Sequence, residues 1–228
     1  VLKTFFILIK FKTMNDLMEK FPAMLKDAMQ IGSKANLTPL HKDIRNVVIA
    51  GLGGSGIGGN LVSELVEEKI KVPVTVCKDY HIPRYVTSHT LFIACSYSGN
   101  TEETIHAMEE AIKHEAKIVC ITSGGSMQRI AEKAGLDCIL IPGGMPPRAC
   151  LAYSAVQQLY VLYNYKLIDS GFEAGLDSAA KLLTKESARI QKLALKIAKK
   201  LNKKMPVIYA PANMEALAVR FRQQLNEN

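Results

Sequence analysis

The chain has 228 residues, 48% of them hydrophobic and 22% charged, which is the composition of a globular protein with a sizeable core. Its formal charge of +8 suits anionic ligands, but no Lys/Arg run is interleaved with aromatics, so nucleic acid is not indicated. The five cysteines (Cys77, Cys95, Cys120, Cys138, Cys150) form no C-x-x-C pair and mostly sit in apolar runs, which argues for buried thiols in a reducing cytoplasm and against a disulfide or zinc framework.

In chain order, "VLKTFFILIKFKT" (1–13) carries three lysines. It is too short to span a bilayer and lacks a small-residue cleavage site. It is expected to be a translated leader, with Met14 the start. Residues 14–31 place Leu17, Phe21, Met24, Leu25 and Met29 near helical spacing. "NVVIAGL" (46–52) reads as a buried strand, 59–70 as a helix, and "VPVTVCKDY" (72–80) as a strand. Strands over 90–96, 117–123 and 137–142 alternate with helices over 101–116 and 126–135. Continuous Val/Ile/Leu runs between helices predict a parallel sheet covered on both faces. The fold class expected is therefore α/β, a doubly wound sheet between helical layers.

Residues 146–165 form a long apolar helix with Pro at its start, and 173–204 a lysine-rich helical connector. "MPVIYAP" (205–211) then reads as a new strand and 214–228 as a new helix. The expected layout is an N-terminal helical segment (14–40), a first α/β domain (41–165), a connector (166–204) and the start of a second α/β domain (205–228). The last residues, "FRQQLNEN", carry no Gly or Pro stop signal, so a truncated chain is expected.

Two strand–helix loops could cradle an anion. "GLGGSGIGG" (51–59) combines close backbone approach, a helix N-terminus and the hydroxyl of Ser55. Its Gly51-x-Gly53-x-x-Gly56 spacing also satisfies the dinucleotide fingerprint, with Asp79 near the end of the next strand. An NAD(P)-dependent oxidoreductase is thus a rival expectation. "SYSGNTEET" (96–104) repeats the arrangement one βαβ unit later and adds Ser96, Ser98 and Thr101. A dinucleotide fold does not need this second hydroxyl cluster, whereas the oxygens of a phosphate monoester do. Asn100 and Glu103 fit an ordinary helix cap, which leaves the three hydroxyls unexplained.

"GLGGSG", "SYSGNTEET" and "PGGMPPRACLAYS" (142–154), in this order, resemble the sugar isomerase (SIS) domain. More closely, they resemble the bifunctional phosphoglucose/phosphomannose isomerases, over about residues 35–228. The resemblance implies two SIS domains in tandem with a flavodoxin-like three-layer fold, a homodimer, a cytoplasmic enzyme of carbohydrate metabolism, and no metal or other cofactor. It implies interconversion of glucose 6-phosphate or mannose 6-phosphate with fructose 6-phosphate through a cis-enediolate. Ser55, Ser96, Ser98 and Thr101 would hold the substrate phosphate, with Gly54 and Gly99 allowing close backbone approach.

Aldose–ketose isomerisation needs a base, a cation for the developing oxyanion and a group to open the ring. The resemblance places the base at Glu227, flanked by Asn226 and Asn228, and an arginine near the reacting carbons at Arg148. By residue type alone, Glu227 reads as a solvated helix terminus and Arg148 as a surface residue. Cys150 stands where the family more often has alanine, and is expected to pack rather than react. None of His41, His81, His89, His106 and His114 matches the family's ring-opening histidine, and His106 and His114 read as solvated. The 228 residues alone are therefore expected to be nearly inactive. A non-catalytic sugar-phosphate-binding module is the other alternative.

Overall fold

The computed structural model describes residues 13–40 and 42–227. Two helices open it, α1 (Met14–Glu19) and α2 (Phe21–Ser33). The sequence pattern predicts one continuous helix here. The break falls at Lys20 because Pro22, in the first turn of α2, has no N–H to bond back to the preceding turn. Thr13, assigned above to the leader, is the N-cap of α1. Its hydroxyl accepts from the Asp16 N–H at 3.3 Å, and its own N–H donates to the Asp16 carboxylate at 2.9 Å. The rest of the expected leader, residues 1–12, lies outside the described residues, as do His41 and Asn228.

The α/β alternation follows as β1 (Asn46–Ala50), α3 (Gly53–Val66), β2 (Val74–Cys77), β3 (Thr90–Ser96), α4 (Glu102–Lys113), β4 (Lys117–Thr122), α5 (Gly125–Ala134), β5 (Asp137–Leu140) and α6 (Leu151–Asn164). All strand pairs are parallel, in the order β2-β1-β3-β4-β5. Alternate residues of each strand feed two separate cores, as a pleat of period two requires. Val47, Ile49, Leu91, Ile93, Val119 and Ile121 pack toward α2, α3 and α6. Val48, Ala50, Phe92, Ala94, Ile118 and Cys120 pack toward Met108 of α4 and Met127 of α5. The expected doubly wound sheet is thus the observed one.

Helix α6 is buried nearly all round, which explains its apolar sequence. Its Gln157 donates from Nε2 to the Ala28 carbonyl at 2.8 Å, tying it to α2. At Gly32 the two helices touch so closely that an added Cβ would lie 2.0 Å from the Tyr160 ring. At the far edge of the sheet, Asp137 accepts from Thr38 Oγ1 at 2.8 Å and pairs with Lys117 Nζ at 2.8 Å. Burial pushes the Asp137 pKa up, but the Lys117 and Thr38 contacts outweigh it and leave the pKa below its ordinary value.

The connector is α7 (Gly171–Lys185) followed by α8 (Ser187–Leu201), and α8 buries none of its side chains. Residues 205–211, expected as a strand, form none. A strand exists only by pairing with a neighbour, and none of the described strands lies alongside this segment. Its Met205 and Tyr209 are about nine-tenths exposed, at 90% and 91%. The helix expected after it is α9 (Glu215–Glu227), which docks on α3 through the Ala216 N–H, donating to Glu64 Oε1 at 2.7 Å.

Candidate functional site

In a parallel sheet every strand ends on the same side, and loops from strand ends meet there. In the order 2-1-3-4-5 the chain reverses its direction of travel between β1 and β3, which opens a crevice between their carboxyl ends. Both Gly/Ser loops singled out in the sequence leave the sheet at that crevice.

The first loop is shorter than its glycine content predicts. Helix α3 begins at Gly53, so Gly54, Ser55 and Gly56 already lie in its first turn. Gly53 takes a left-handed φ of +52, and Gly51 and Gly56 are needed for close contact rather than for a long loop. A Cβ at Gly51 would sit 2.8 Å from the Cys95 carbonyl of β3, and one at Gly56 would sit 2.5 Å from the Gly51 carbonyl. This packing sets Ser55 beside Gly51 at the end of β1.

The second loop is held by its own hydroxyls. Ser96, only 1% exposed, closes β3. Its Oγ lies 2.8 Å from Thr101 Oγ1 and accepts from the Gly99 N–H at 3.1 Å. Ser98 is exposed, and its Oγ accepts from the Asn100 N–H at 3.2 Å. Gly99 has φ +67, and a Cβ there would lie 1.8 Å from the Gly124 carbonyl, so no other residue fits. The N-cap of α4 is Thr101, not the expected Asn100. Asn100 instead turns its Oδ1 toward the start of α5, accepting from both N–H and Oγ of Ser126 at 3.0 Å.

That contact draws in a third loop, Ser123–Gly124 after β4, which the sequence reading passed over. Ser123 donates from Oγ to the Tyr97 carbonyl at 2.6 Å, and Tyr97 Oη accepts from the Met145 N–H at 3.0 Å. The signal was the Ser-Gly-Gly-Ser run after a strand, the same strand–loop–helix grammar in plainer form. Through Tyr97, the hydroxyl loop is joined to the segment carrying Arg148.

Arg148 lies in a short 3-10 turn, Pro147–Ala149, and Pro146 fixes its entry. Gly54 is the point of contact: a Cβ there would lie 3.0 Å from the Pro147 carbonyl and 3.9 Å from Arg148 Cα. Arg148 Nη1 stands 3.8 Å from Glu227 Oε1. Two residues 79 positions apart (227 − 148) are thereby paired at the start of α3. Arg220, one face of α9 with Glu227, donates to the Arg148 carbonyl. Burial pulls the Arg220 pKa down and the Glu227 carboxylate pulls it up, with burial the larger effect. Sequence reasoning missed Arg220, because only α9 docking on α3 gives it a target. Arg148 Nε is buried and has no hydrogen-bond partner among the described residues. The first turn of α3 thus carries both halves of the site, Ser55 toward the strand ends and Gly54 toward Arg148.

The cysteines are packed. Burial pushes Cys95 up to about 12 and Cys150 up to about 11. A thiol held so far above neutrality is a poor nucleophile. Cys150 Sγ faces the Pro146 carbonyl at 3.4 Å, so it packs as expected. The fold is an α/β domain whose strand ends carry hydroxyl and backbone N–H donors of the kind an anion takes, beside an Arg–Glu pair.

The chain belongs to the SIS domain family, whose model matches residues 42–163. Residues 190–228 match the bacterial phospho-glucose isomerase C-terminal SIS domain. The bifunctional phosphoglucose/phosphomannose isomerase of Caldicellulosiruptor bescii is 41% identical over 91% of this chain and 63% of its own length. That of Thermoplasma acidophilum is 44% identical over 80% of this chain and 55% of its own length. The chain therefore spans less than two thirds of either relative. Among solved structures, the C-terminal domain of glucosamine-fructose-6-phosphate aminotransferase from Francisella tularensis superposes with a TM-score of 0.72, covering 96% of this chain and 68% of that one at 15% identity. No described helix is long and apolar enough to cross a membrane.

Proposed function

We propose that the whole protein is an aldose–ketose isomerase that interconverts glucose 6-phosphate or mannose 6-phosphate with fructose 6-phosphate. The observation that carries this reading is the Arg148–Glu227 pair, 3.8 Å apart and packed against the helix turn that bears Ser55. Glu227 is the base that moves the proton between C1 and C2. Arg148 stabilises the cis-enediolate through its guanidinium, whose side chain is 32% exposed beside Glu227. Ser55, Ser98 and Thr101, with the backbone at Gly54 and Gly99, hold the phosphate. Ser96 is too buried to face a ligand freely and acts by positioning Thr101. Ring opening is assigned to none of the described histidines.

The names of the relatives support the substrate class, and the glycine fingerprint needs no nicotinamide to explain it, because Gly51 and Gly56 are used in packing and Gly53 in a left-handed backbone with φ +52. A cytoplasmic location and a homodimer are proposed from the family resemblance. The division into a first SIS domain over 41–165 and a second from 205 is likewise proposed, supported by the two family matches.

The test is turnover of fructose 6-phosphate by the whole protein, with both aldose 6-phosphates followed as products. Formation of either supports the assignment. Saturable binding without turnover would replace it with a sugar-phosphate-binding module, and stabilisation by NAD(P) alone would replace it with an oxidoreductase.

A further inference from the structure

The β2–β3 connection passes over α4 and brings together three side chains that the isomerase chemistry does not use. His81 comes from the connection; His106 and Glu110 stand one turn apart on α4. One ligand atom from each lies within 4.8 Å of the other two. His81 Nδ1 is 3.8 Å from Glu110 Oε2, and the two imidazoles meet edge-on with centroids 5.7 Å apart.

The second contacts of these groups are what single the cluster out. His106 Nδ1 lies 3.0 Å from the Tyr80 carbonyl. A carbonyl only accepts, so the proton is on Nδ1, and the Nε2 lone pair of the neutral ring is left for an electrophile. Glu110 Oε2 accepts from the Ile82 N–H at 3.0 Å. Tyr80 and Ile82 flank His81 on both sides. The backbone stretch that delivers the first ligand therefore also orients the other two, as outer-shell partners do in metal centres. An ion pair between protonated His81 and Glu110 would account for those two residues but not for the fixed ring of His106.

We propose that His81, His106 and Glu110 form a site for Zn²⁺, with water completing a four-coordinate shell. Bonds of about 2.0–2.1 Å place tetrahedral donors about 3.3 Å apart. Closing the 3.8 Å gap needs a shift of about 0.5 Å, and separations of up to 4.8 Å a shift of up to about 1.5 Å, which rotation of the His81 side chain, 78% exposed, can supply. The ion would fasten the β2–β3 connection to α4. It is separate from Arg148 and Glu227, and it stands or falls independently of the isomerase assignment.

The 228-residue chain would be titrated with Co²⁺, followed by visible absorption, and with Zn²⁺ in competition with a chromophoric chelator. One equivalent should saturate, with the bands of a four- or five-coordinate ion and no thiolate charge-transfer band. His81→Ala removes an exposed side chain and so preserves the fold, and Glu110→Gln keeps an acceptor for the Ile82 N–H. Each should weaken binding about 10-fold or more. Excess Zn²⁺ should raise the Tm of the native chain and not that of His81→Ala. The proposal is overturned if Co²⁺ does not saturate, if a thiolate band shows the ion on cysteine, or if both variants bind as tightly as the native chain.

Discussion

The hydroxyl loop after β3 and the Arg148–Glu227 pair serve one proposed reaction but are built on opposite principles. The loop is dense and internally bonded: Ser96, Gly99 and Thr101 satisfy one another, and Gly99 touches the neighbouring loop where no Cβ could fit. The pair is open. Its partners come from distant parts of the chain, and their side chains are 32% and 49% exposed. An ion pair so exposed contributes little stability, about 0–1 kcal/mol. The proposed phosphate grip is thus part of the folding core, while the proposed chemistry sits on a contact that the fold could lose without unfolding. Substitutions in the loop should register in the melting curve, and substitutions in the pair should register in the rate.

The sharpest way to break that contrast is Glu227→Gln in the whole protein. Proton exchange at C2, followed by NMR in deuterated buffer, should slow by about 10²–10⁴-fold, the range expected for loss of a general base. Substrate affinity and Tm should stay close to native. Exchange at the native rate would place the base elsewhere, and a lowered Tm would make the pair structural.

Gly99→Ala tests the other side. The added methyl meets the Gly124 carbonyl in a left-handed backbone, and the loss should be about 2–4 kcal/mol. For a chain of this size, that lowers the Tm by several degrees in a thermal melt. An unchanged Tm would mean that the loop is not locked as described.

Ser98→Ala combined with Thr101→Ala removes two hydroxyls from the proposed phosphate site while Ser96 still holds the Gly99 N–H. Affinity for fructose 6-phosphate should fall about 10²–10⁴-fold by calorimetry, as expected for two lost bonds to a charged group at about 1.5–3 kcal/mol each. Undiminished affinity would remove these hydroxyls from the site.

The smallest effect is a control remote from both regions. The pKa of Asp137 is held below its ordinary value by Lys117 and Thr38, so the stability it confers is present above the unfolded-state pKa, about 3.9, and is lost as pH falls through the lower folded-state value. Asp137→Asn should lower the Tm at neutral pH and flatten its fall in acid. A native-like acid profile in the variant would show that another carboxylate governs that window.

The legible parts of this protein were the local ones. Val/Ile runs marked β1, β3 and β4, because a strand buried on both faces must be apolar along its whole length. Gly99 and the hydroxyls around it were legible for a similar reason, since a strand–helix turn with a positive φ demands glycine. Where sequence reasoning failed, a neighbour had decided. Residues 205–211 have strand composition but no strand beside them among the described residues. Asn100 has the chemistry of a cap, but α5 offered it a better use. The Gly53–Gly59 run looked like a loop because glycine is a poor helix former, yet the close approach of α3 to β1, β2 and α6 made helix the outcome.

The amino-acid sequence by itself determined the alternation of strands and helices and the candidate anion loops, since both follow from periodicity and backbone chemistry within a few residues. The tertiary structure alone decided that Arg148 meets Glu227, that Arg220 braces Arg148, and that His81 lands on His106 and Glu110. Those meetings depend on where whole helices dock, and docking is settled by the summed burial of many side chains rather than by the residues that happen to touch.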